Sequence, residues 1–180
     1  MRKMWMLSAC AAVLVLGCAT DTKPTNAKLE KALNSYFEGH NECLFPMVMR
    51  FPYEVSPGSD AKAEQKRLDA MTGAGLLTKQ SGAAIKVERY TLTPLGERQK
   101  GRFCYGHRQV TSVDGFTSPV KQGGFLQSTV NYHAKMVDIP VWVQTDEMRA
   151  AFPEMAKAIS GPQPGQVMME NAGAGWQVPQ

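Results

Sequence analysis

The segment that most constrains the fold is Phe125–Val137, FLQSTVNYHAKMV, in which two sets of residues alternate over 13 positions. The first, mainly apolar set is Leu126, Ser128, Val130, Tyr132, Ala134 and Met136, and the second, polar set is Gln127, Thr129, Asn131, His133 and Lys135. Because successive side chains of a strand point to opposite faces of a sheet, this pattern predicts one buried and one solvated face. One-sided burial is typical of antiparallel sheets, so we expect one here.

A partner for this strand is predicted at Phe103–Val113, joined to it through the turn-rich segment DGFTSPVKQGG. The later segment IPVWV is predicted to form a short edge strand, where a proline is tolerated. Thr145 is predicted to cap a final helix, which Pro153 either kinks or divides. The apolar stripe of that helix consists of Met148, Phe152, Met155 and Ile159. Residues 101–160 are therefore expected to form a small antiparallel sheet and a C-terminal helix.

The last stretch of the chain, residues 161–180, contains seven glycines or prolines and almost no charge. Such a composition buries too little apolar surface to offset the entropy of the ordered chain. We therefore expect a flexible tail, or one that lies on the surface of the domain.

Two helices are predicted in the first half of the chain. The first begins after a cap at Thr25 or Asn26 and ends at Gly39, and the second runs from Asp60 to about Thr72. Their inward-facing residues are Leu29, Leu33, Tyr36 and Phe37 in the first helix, and Ala63 or Ala61, Leu68 and Met71 in the second. Each helix therefore has one apolar face to bury.

A hairpin is predicted after the second helix, in the segment GLLTKQSGAAIKVERYTLT, with its turn at Gly82. The apolar alternation changes phase along this segment, which indicates a β-bulge near Glu88–Arg89. Thr93 is then predicted to cap a short helix that has Pro94 in its first position.

The order of helix, AGLL, hairpin and YTLTPLG over residues 60–100 resembles a winged-helix domain. The resemblance implies an α+β fold with a winged-helix-like N-terminal part, followed by the small antiparallel sheet and the C-terminal helix. Residues 26–160 are expected to form this single domain. Many winged helices bind DNA, but a fold does not carry its function with it.

The first 20 residues, MRKMWMLSACAAVLVLGCAT, have the organisation of an export signal. Arg2 and Lys3 form a basic start, and Met4–Leu16 is an uncharged run of 13 residues. A membrane-spanning helix needs about 20 apolar residues, so this run is too short to be one. The sequence VLGC that ends at Cys18 resembles the lipobox of bacterial lipoproteins.

The resemblance to bacterial lipoproteins implies that residues 1–17 are removed as a signal peptide and that Cys18 becomes lipidated. Two or more acyl chains hold a protein stably on a bilayer, and residues 18–25 would form a short lipidated tether. Ala19 differs from the aspartate that tends to retain enteric lipoproteins at the inner membrane. The periplasmic face of the outer membrane is therefore the favoured location. An ordinary cleaved signal, with Cys18 incidental, is the alternative.

The charge of the mature chain gives little support to nucleic acid as a partner. Removal of residues 1–17 leaves 163 residues with a formal net charge of +2. Nucleic-acid-binding domains usually carry a strongly basic surface, and a DNA-binding protein would also have to keep its export signal unprocessed. The expected partners are the membrane, through the lipid anchor, and another envelope protein or a cell-wall component. No cofactor is predicted.

Once Cys18 carries lipid, Cys43 and Cys104 are the two cysteines left in the mature chain. A pair in an oxidising compartment predicts a disulfide, and closure of this long loop would contribute on the order of 4 kcal/mol. The motifs HNEC and CYGH also place His40 and His107 near the cysteines, in a set that would suit tetrahedral zinc. Oxidation removes both thiolate ligands, so the disulfide is the favoured interpretation.

The polar face of the predicted long strand offers Gln127, Asn131 and His133 as candidate ligand contacts, although a solvated sheet face explains the same pattern. GxSxG, HExxH, GxxxxGK and CxxC motifs are absent, and no catalytic residue is assigned. The favoured function is a non-catalytic binding or envelope-assembly accessory. A cell-envelope hydrolase, with acidic residues clustered in one pocket, is the alternative.

Replacement of Cys18 by alanine tests the lipoprotein assignment. The variant loses the thiol that carries the lipid, so we expect it to remain uncleaved or become soluble. The wild-type protein should incorporate labelled fatty acid and the variant should not, as measured by autoradiography of the purified protein. Absence of label from the wild-type protein would rule out the anchor.

Overall fold

The structure is a computed structural model that describes residues 22–56, 58, 61–82 and 87–179. The predicted signal peptide and Cys18 lie outside these residues. The helices are α1 (Asn26–Glu38), α2 (Ala61–Gly73), α3 (Pro94–Arg98), a 3-10 helix (Val141–Gln144), α4 (Asp146–Ala151) and α5 (Pro153–Ile159). The strands are β1 (Asn41–Cys43), β2 (Tyr53–Val55), β3 (Leu77–Gly82), β4 (Val87–Leu92), β5 (Cys104–Phe116), β6 (Val120–Gln122), β7 (Phe125–Val137), β8 (Gln163–Asn171) and β9 (Trp176–Gln177). Within the described part of the chain, every helix is too short or too polar to cross a bilayer.

The larger sheet is antiparallel and curls into a half-barrel, with strand order β1-β5-β7-β8-β9 and β6 paired to the start of β7. The predicted long strand is confirmed as β7, with the bounds that the alternation gave. Its mainly apolar set faces inward: Val130 is fully buried, while Asn131 beside it is exposed. The predicted partner strand is also confirmed as β5, which continues three residues further, to Phe116.

Helix α1 covers the inner face of this sheet, as its apolar face predicts. The Thr25 side chain caps it by accepting a hydrogen bond from the Lys28 N–H, and Gly39 ends it. Its buried residues join those of β5, β7, β8 and β9 in one cluster. The cluster consists of Leu29, Leu33, Phe37, Val110, Val113, Val130, Tyr132, Ala134, Met169 and Trp176.

The flexible tail predicted for residues 161–180 is wrong, because Gln163–Asn171 forms β8 inside the larger sheet. It pairs with β7 at nine positions, from Leu126 opposite Asn171 to Ala134 opposite Gln163. Gly165 leaves room for the Tyr132 ring opposite it, since a Cβ there would come within 2.4 Å of that ring and would displace it. The composition argument failed because the open edge of β7 satisfies the backbone of this segment and the core buries Met169.

The smaller sheet has the order β2-β4-β3, and the two predicted strands of the hairpin are confirmed as β3 and β4. The predicted position of the turn is wrong, because Gly82 is the last residue of β3 and pairs with Val87. The predicted bulge near Glu88–Arg89 is wrong, because pairing is continuous from Leu77 opposite Leu92 to Gly82 opposite Val87. The apolar alternation changes phase in the sequence because Val87, at the end of β4, is only half-buried. It need not lie on the core face of the strand, where Tyr90 is fully buried.

The winged-helix interpretation of residues 60–100 is also wrong. The protein is rich in sheet, with 38% strand against 31% helix, and its N-terminal part is not a helical winged-helix unit. Helix α2 and the hairpin complete their core with residues from later in the chain, including Phe103, Tyr105 and Met136 of the larger-sheet region and Met148 and Met155 of α4 and α5. A local order of elements resembled a winged helix, but the packing partners are different.

The predicted C-terminal helix is interrupted and is not the last element. Val141–Gln144 forms a 3-10 helix instead of the predicted edge strand. Thr145 caps α4 through its side chain, as predicted, and Pro153 begins α5 as a separate helix. Two strands, β8 and β9, then follow. The domain therefore extends beyond residue 160.

Adjacent methionines in β8 test whether this segment belongs to the sheet. Met169 is fully buried and Met168 is 45% exposed, although both have the same side chain. We expect Met169→Ala to lower the free energy of unfolding by about 2–4 kcal/mol because it leaves a cavity. Met168→Ala should change it by no more than about 0.5 kcal/mol. Equal small effects in urea denaturation would contradict the position of β8.

Candidate functional site

The outer face of the larger sheet carries a group of side chains that fix one another. His133 of β7 lies opposite Ser112 of β5, and its Nδ1 is 2.7 Å from the Asp114 Oδ2. The Ser112 hydroxyl donates a hydrogen bond to the Asp114 Oδ1 at 2.8 Å. Three polar groups on two strands are therefore held in one arrangement.

Two irregularities in β5 place these residues. The pairing with β7 shifts between Val110 and Ser112, and again between Val113 and Gly115, which leaves Asp114 as an extra residue. Val113 is buried and Asp114 after it is exposed, so Asp114 lies on the outer face with Ser112. As the extra residue of a bulge it has no partner directly opposite in β7, and its side chain reaches His133. The prediction from sequence missed Ser112 and Asp114, because bulges leave no periodic signal.

The electrostatics of this group favour a charged carboxylate. The Ser112 hydrogen bond holds the pKa of Asp114 below its ordinary value, and the hydrogen bond and charge of His133 lower it further. Both members of the pair are well exposed, with 43% of the His133 side chain and 41% of the Asp114 side chain accessible. An exposed ion pair contributes little to stability, so its main effect is to orient the imidazole ring.

The residue types serine, aspartate and histidine occur together here, but they are not connected as in a nucleophilic triad. In such a triad the serine hydroxyl is hydrogen-bonded to the histidine, which accepts its proton, and the aspartate is hydrogen-bonded to the other ring nitrogen of the histidine. Here the Ser112 hydroxyl donates to the Asp114 carboxylate instead. Because His133 contacts Asp114 through Nδ1, its Nε2 is the ring nitrogen left for a ligand. The group is arranged for hydrogen bonding rather than for activation of the hydroxyl.

The two other predicted ligand contacts lie on the same face of β7. The Asn131 Oδ1 accepts a hydrogen bond from the Gln166 Nε2 at 2.8 Å, and Gln166 belongs to β8. Gln127 is half-buried near the turn between β6 and β7, opposite Val120 of β6 and Glu170 of β8. The structure therefore brings Asn131 and His133 into one polar surface, with Gln127 towards its end. Gln166 was missed because its segment was taken for a tail.

A second polar cluster joins β1 to β5. The Tyr105 hydroxyl donates to the Glu42 Oε2 at 3.1 Å, and the Arg108 Nε donates to the Glu42 Oε1. Burial, followed by the Glu42 charge, raises the pKa of Tyr105 to about 12. Burial opposes the Arg108 charge, but Glu42 outweighs it and raises the pKa of the guanidinium. Glu42 thus accepts hydrogen bonds from two residues of β5 and fixes the edge strand.

The disulfide between Cys43 and Cys104 is confirmed, with the two sulfurs 2.06 Å apart. The cysteines are cross-strand partners in β1 and β5. The bond uses both thiols, so the alternative zinc site with His40 and His107 does not form. The two histidines have separate contacts: the His40 ring stacks on Tyr36, and the His107 Nδ1 is 3.5 Å from the Asp138 Oδ2. No group of three or more potential metal ligands occurs among the described residues.

An open groove of about 520 Å³ lies between α2 and α4, with Lys62, Lys66 and Glu147 in its lining. Asp69, which also lines the groove, accepts hydrogen bonds from the Tyr90 hydroxyl at 2.8 Å and from the Lys79 Nζ at 2.9 Å. Burial, and then the Asp69 hydrogen bond, raise the pKa of Tyr90. Asp69 therefore acts as an acceptor that holds α2 against the smaller sheet.

Comparison with known proteins gives no relative to guide the assignment. No family model matches the chain, and neither a curated protein nor a solved structure matches it significantly.

A double Cys43→Ser and Cys104→Ser variant tests the disulfide in solution. The bond closes a sequence separation of 61 residues. Loss of this constraint on the unfolded chain should lower stability by roughly 2–4 kcal/mol and increase protease sensitivity. His40→Ala and His107→Ala are the matched controls and should do little. Free thiols in a non-reduced digest of periplasmic protein, measured by mass spectrometry, would contradict the bond.

Proposed function

We propose that this protein is an outer-membrane-anchored periplasmic lipoprotein that acts as a non-catalytic binding accessory of the cell envelope. The lipobox resemblance at Cys18 supports the anchor. The single observation that carries the binding role is the polar face of β7, where Asp114 orients His133 and Gln166 orients Asn131. Side chains that are fixed before a ligand arrives lose less conformational entropy on binding.

The chemistry of this face indicates the class of ligand. Asn131, Thr129, Gln166 and the ring of His133 supply amide, hydroxyl and imidazole groups along β7 and β8. Such groups donate and accept hydrogen bonds without a strong net charge. A ligand rich in hydroxyl and amide groups matches them. The sugar and peptide parts of the cell-wall polymer have this composition, and an exported lipoprotein would meet them in the periplasm.

A cell-envelope hydrolase is the alternative, but Asp114, the acidic residue in contact with His133, does not favour it. A general acid near neutral pH needs a carboxyl group whose pKa is raised by burial or by a neighbouring negative charge. Asp114 is exposed, and its pKa is shifted in the opposite direction. The carboxylate is therefore better suited to orienting His133 than to donating a proton.

Binding to isolated cell-wall sacculi tests the proposal. Lipidated wild-type protein in detergent should co-sediment with sacculi, whereas His133→Ala and Asn131→Ala should bind less because each removes a fixed hydrogen-bonding group. Both substitutions are on an exposed face and should change the free energy of unfolding by no more than about 0.5 kcal/mol. The bound fraction is measured by immunoblot and the stability by thermal denaturation.

Gln144→Ala, at an exposed position on the 3-10 helix, is the matched control and should bind as the wild type does. Equal binding by all four proteins would contradict a role for the polar face. Release of soluble fragments from the sacculi would instead favour the hydrolase.

A further inference from the structure

The segment between β1 and β2 presents two apolar side chains to solvent. Met47 is 78% exposed and Val48 is 58% exposed. The residues on either side are anchored: the ring of Phe45 packs against Phe103, and the ring of Phe51 packs against Phe103 from another position. Adjacent apolar side chains at the tip of an anchored segment mark an interaction site more strongly than an isolated exposed residue does.

Four basic residues lie in the two segments that meet here. Arg50 follows the apolar pair, and Arg98, Lys100 and Arg102 belong to α3 and the turn after it; all four are exposed. Within the described part of the chain, none of them forms a salt bridge. Glu97 precedes the group in α3, so positive charge predominates.

Direct contacts hold the apolar tip against the basic turn. The Met49 N–H donates a hydrogen bond to the Gly101 carbonyl oxygen at 2.9 Å. A Cβ on Gly101 would come within 2.6 Å of the Met49 carbonyl oxygen and 2.9 Å of the Val48 Cγ1, and its φ is +72°. Only glycine fits this approach, so the backbone fixes the apolar tip and the cations relative to each other.

A concave surface beside the turn provides room for an anionic group. An open groove of about 510 Å³ runs between the end of α1 and the turn, and Arg98, Lys100, Arg102 and His40 contribute to its lining. Guanidinium and ammonium groups are the usual protein partners of phosphate oxygens. The groove thus combines cations with an adjacent apolar tip.

We propose that this apolar and basic surface docks on an anionic lipid membrane, with Met47 and Val48 in the interface and a headgroup phosphate in the groove. Charge complementarity selects this occupant, since juxtamembrane basic residues are attracted to anionic lipids and apolar side chains enter the acyl boundary. The surface provides a contact separate from the lipid anchor and from the polar face of β7.

The length of the tether permits both contacts at once. The chain from Cys18 to Asn26 spans eight Cα–Cα steps and reaches at most about 28 Å when extended. Helix α1 has 13 residues, or about 20 Å of length, and the groove begins at its end near Gly39. Because the extended tether is longer than α1, Cys18 can stay in the membrane while the groove contacts the lipid surface.

A tryptophan reporter in the full-length lipidated protein tests the proposal. Met47→Trp protein is reconstituted into vesicles of phosphatidylcholine alone or with phosphatidylglycerol, both containing brominated lipid. We expect strong quenching and a blue shift with phosphatidylglycerol, and loss of both at high salt. Val141→Trp is the matched control, because Val141 is an exposed apolar residue elsewhere, at 81% exposure. Wild-type fluorescence is subtracted, and the native Trp142 and Trp176 are buried.

Charge reversal provides the second variant. Arg98→Glu, Lys100→Glu and Arg102→Glu together in Met47→Trp protein should reduce the quenching to the level of Val141→Trp. The same reversal at Lys62, Lys66 and Arg67, which are exposed on α2, is the control for the change in net charge. It should leave the quenching intact. Thermal denaturation confirms that each variant is folded.

Equal quenching in the two kinds of vesicle, or quenching that survives charge reversal, would overturn the proposal. No quenching in any vesicle would also overturn it and would favour an acidic protein as the occupant. The mass of the N-terminal peptide is measured on the same preparation. If that peptide carries no acyl group, the lipid anchor at Cys18 is contradicted. Flotation of the protein with the vesicles then shows whether the docking surface binds them without the anchor, so the quenching at position 47 still tests the docking proposal.

Discussion

Strand β7 is the element on which the rest of the structure depends, because it pairs on both sides and enters both hydrophobic clusters. It pairs with β5 from Val130 to Val137 and with β8 from Leu126 to Ala134. Its Val130, Tyr132 and Ala134 contribute to the cluster under α1, and its Met136 contributes to the cluster around α2. The two parts of the fold are therefore connected by one rigid strand rather than by a linker.

This dependence also explains the polar surface. With one face of β7 buried under α1, its alternate residues must point outward, and neighbouring strands supply their partners. Asp114 comes from a bulge in β5, and Gln166 comes from β8. Fixed imidazole and amide groups result from the same pairing that stabilises the sheet. Burial of the inner face and organisation of the outer face are thus two consequences of one strand.

The edges of the larger sheet show how the remaining elements are fixed. On the β5 side, the Val110 N–H donates to the Asn34 Oδ1 at 2.8 Å and the Asn26 Nδ2 donates to the Val113 carbonyl oxygen at 3.2 Å. Helix α1 therefore satisfies part of an open edge as well as covering the inner face. The disulfide and Glu42 hold the short β1 to the same strand. The apolar segment that follows β1 is consequently anchored next to the basic turn.

The sequence by itself determined β7, α1, α2, the hairpin and the pair Cys43–Cys104. Their signals are local periodicities, caps and a cysteine pair, which require no knowledge of neighbours. Only the tertiary structure decided that Gln163–Asn171 is a strand, that Asp114 reaches His133, and that Met49 lies against Gly101. Each of these depends on a partner distant in sequence: an open strand edge, a shift of register or a glycine that permits close approach. A winged-helix order of elements misled for the same reason, since packing partners and not local order define a fold.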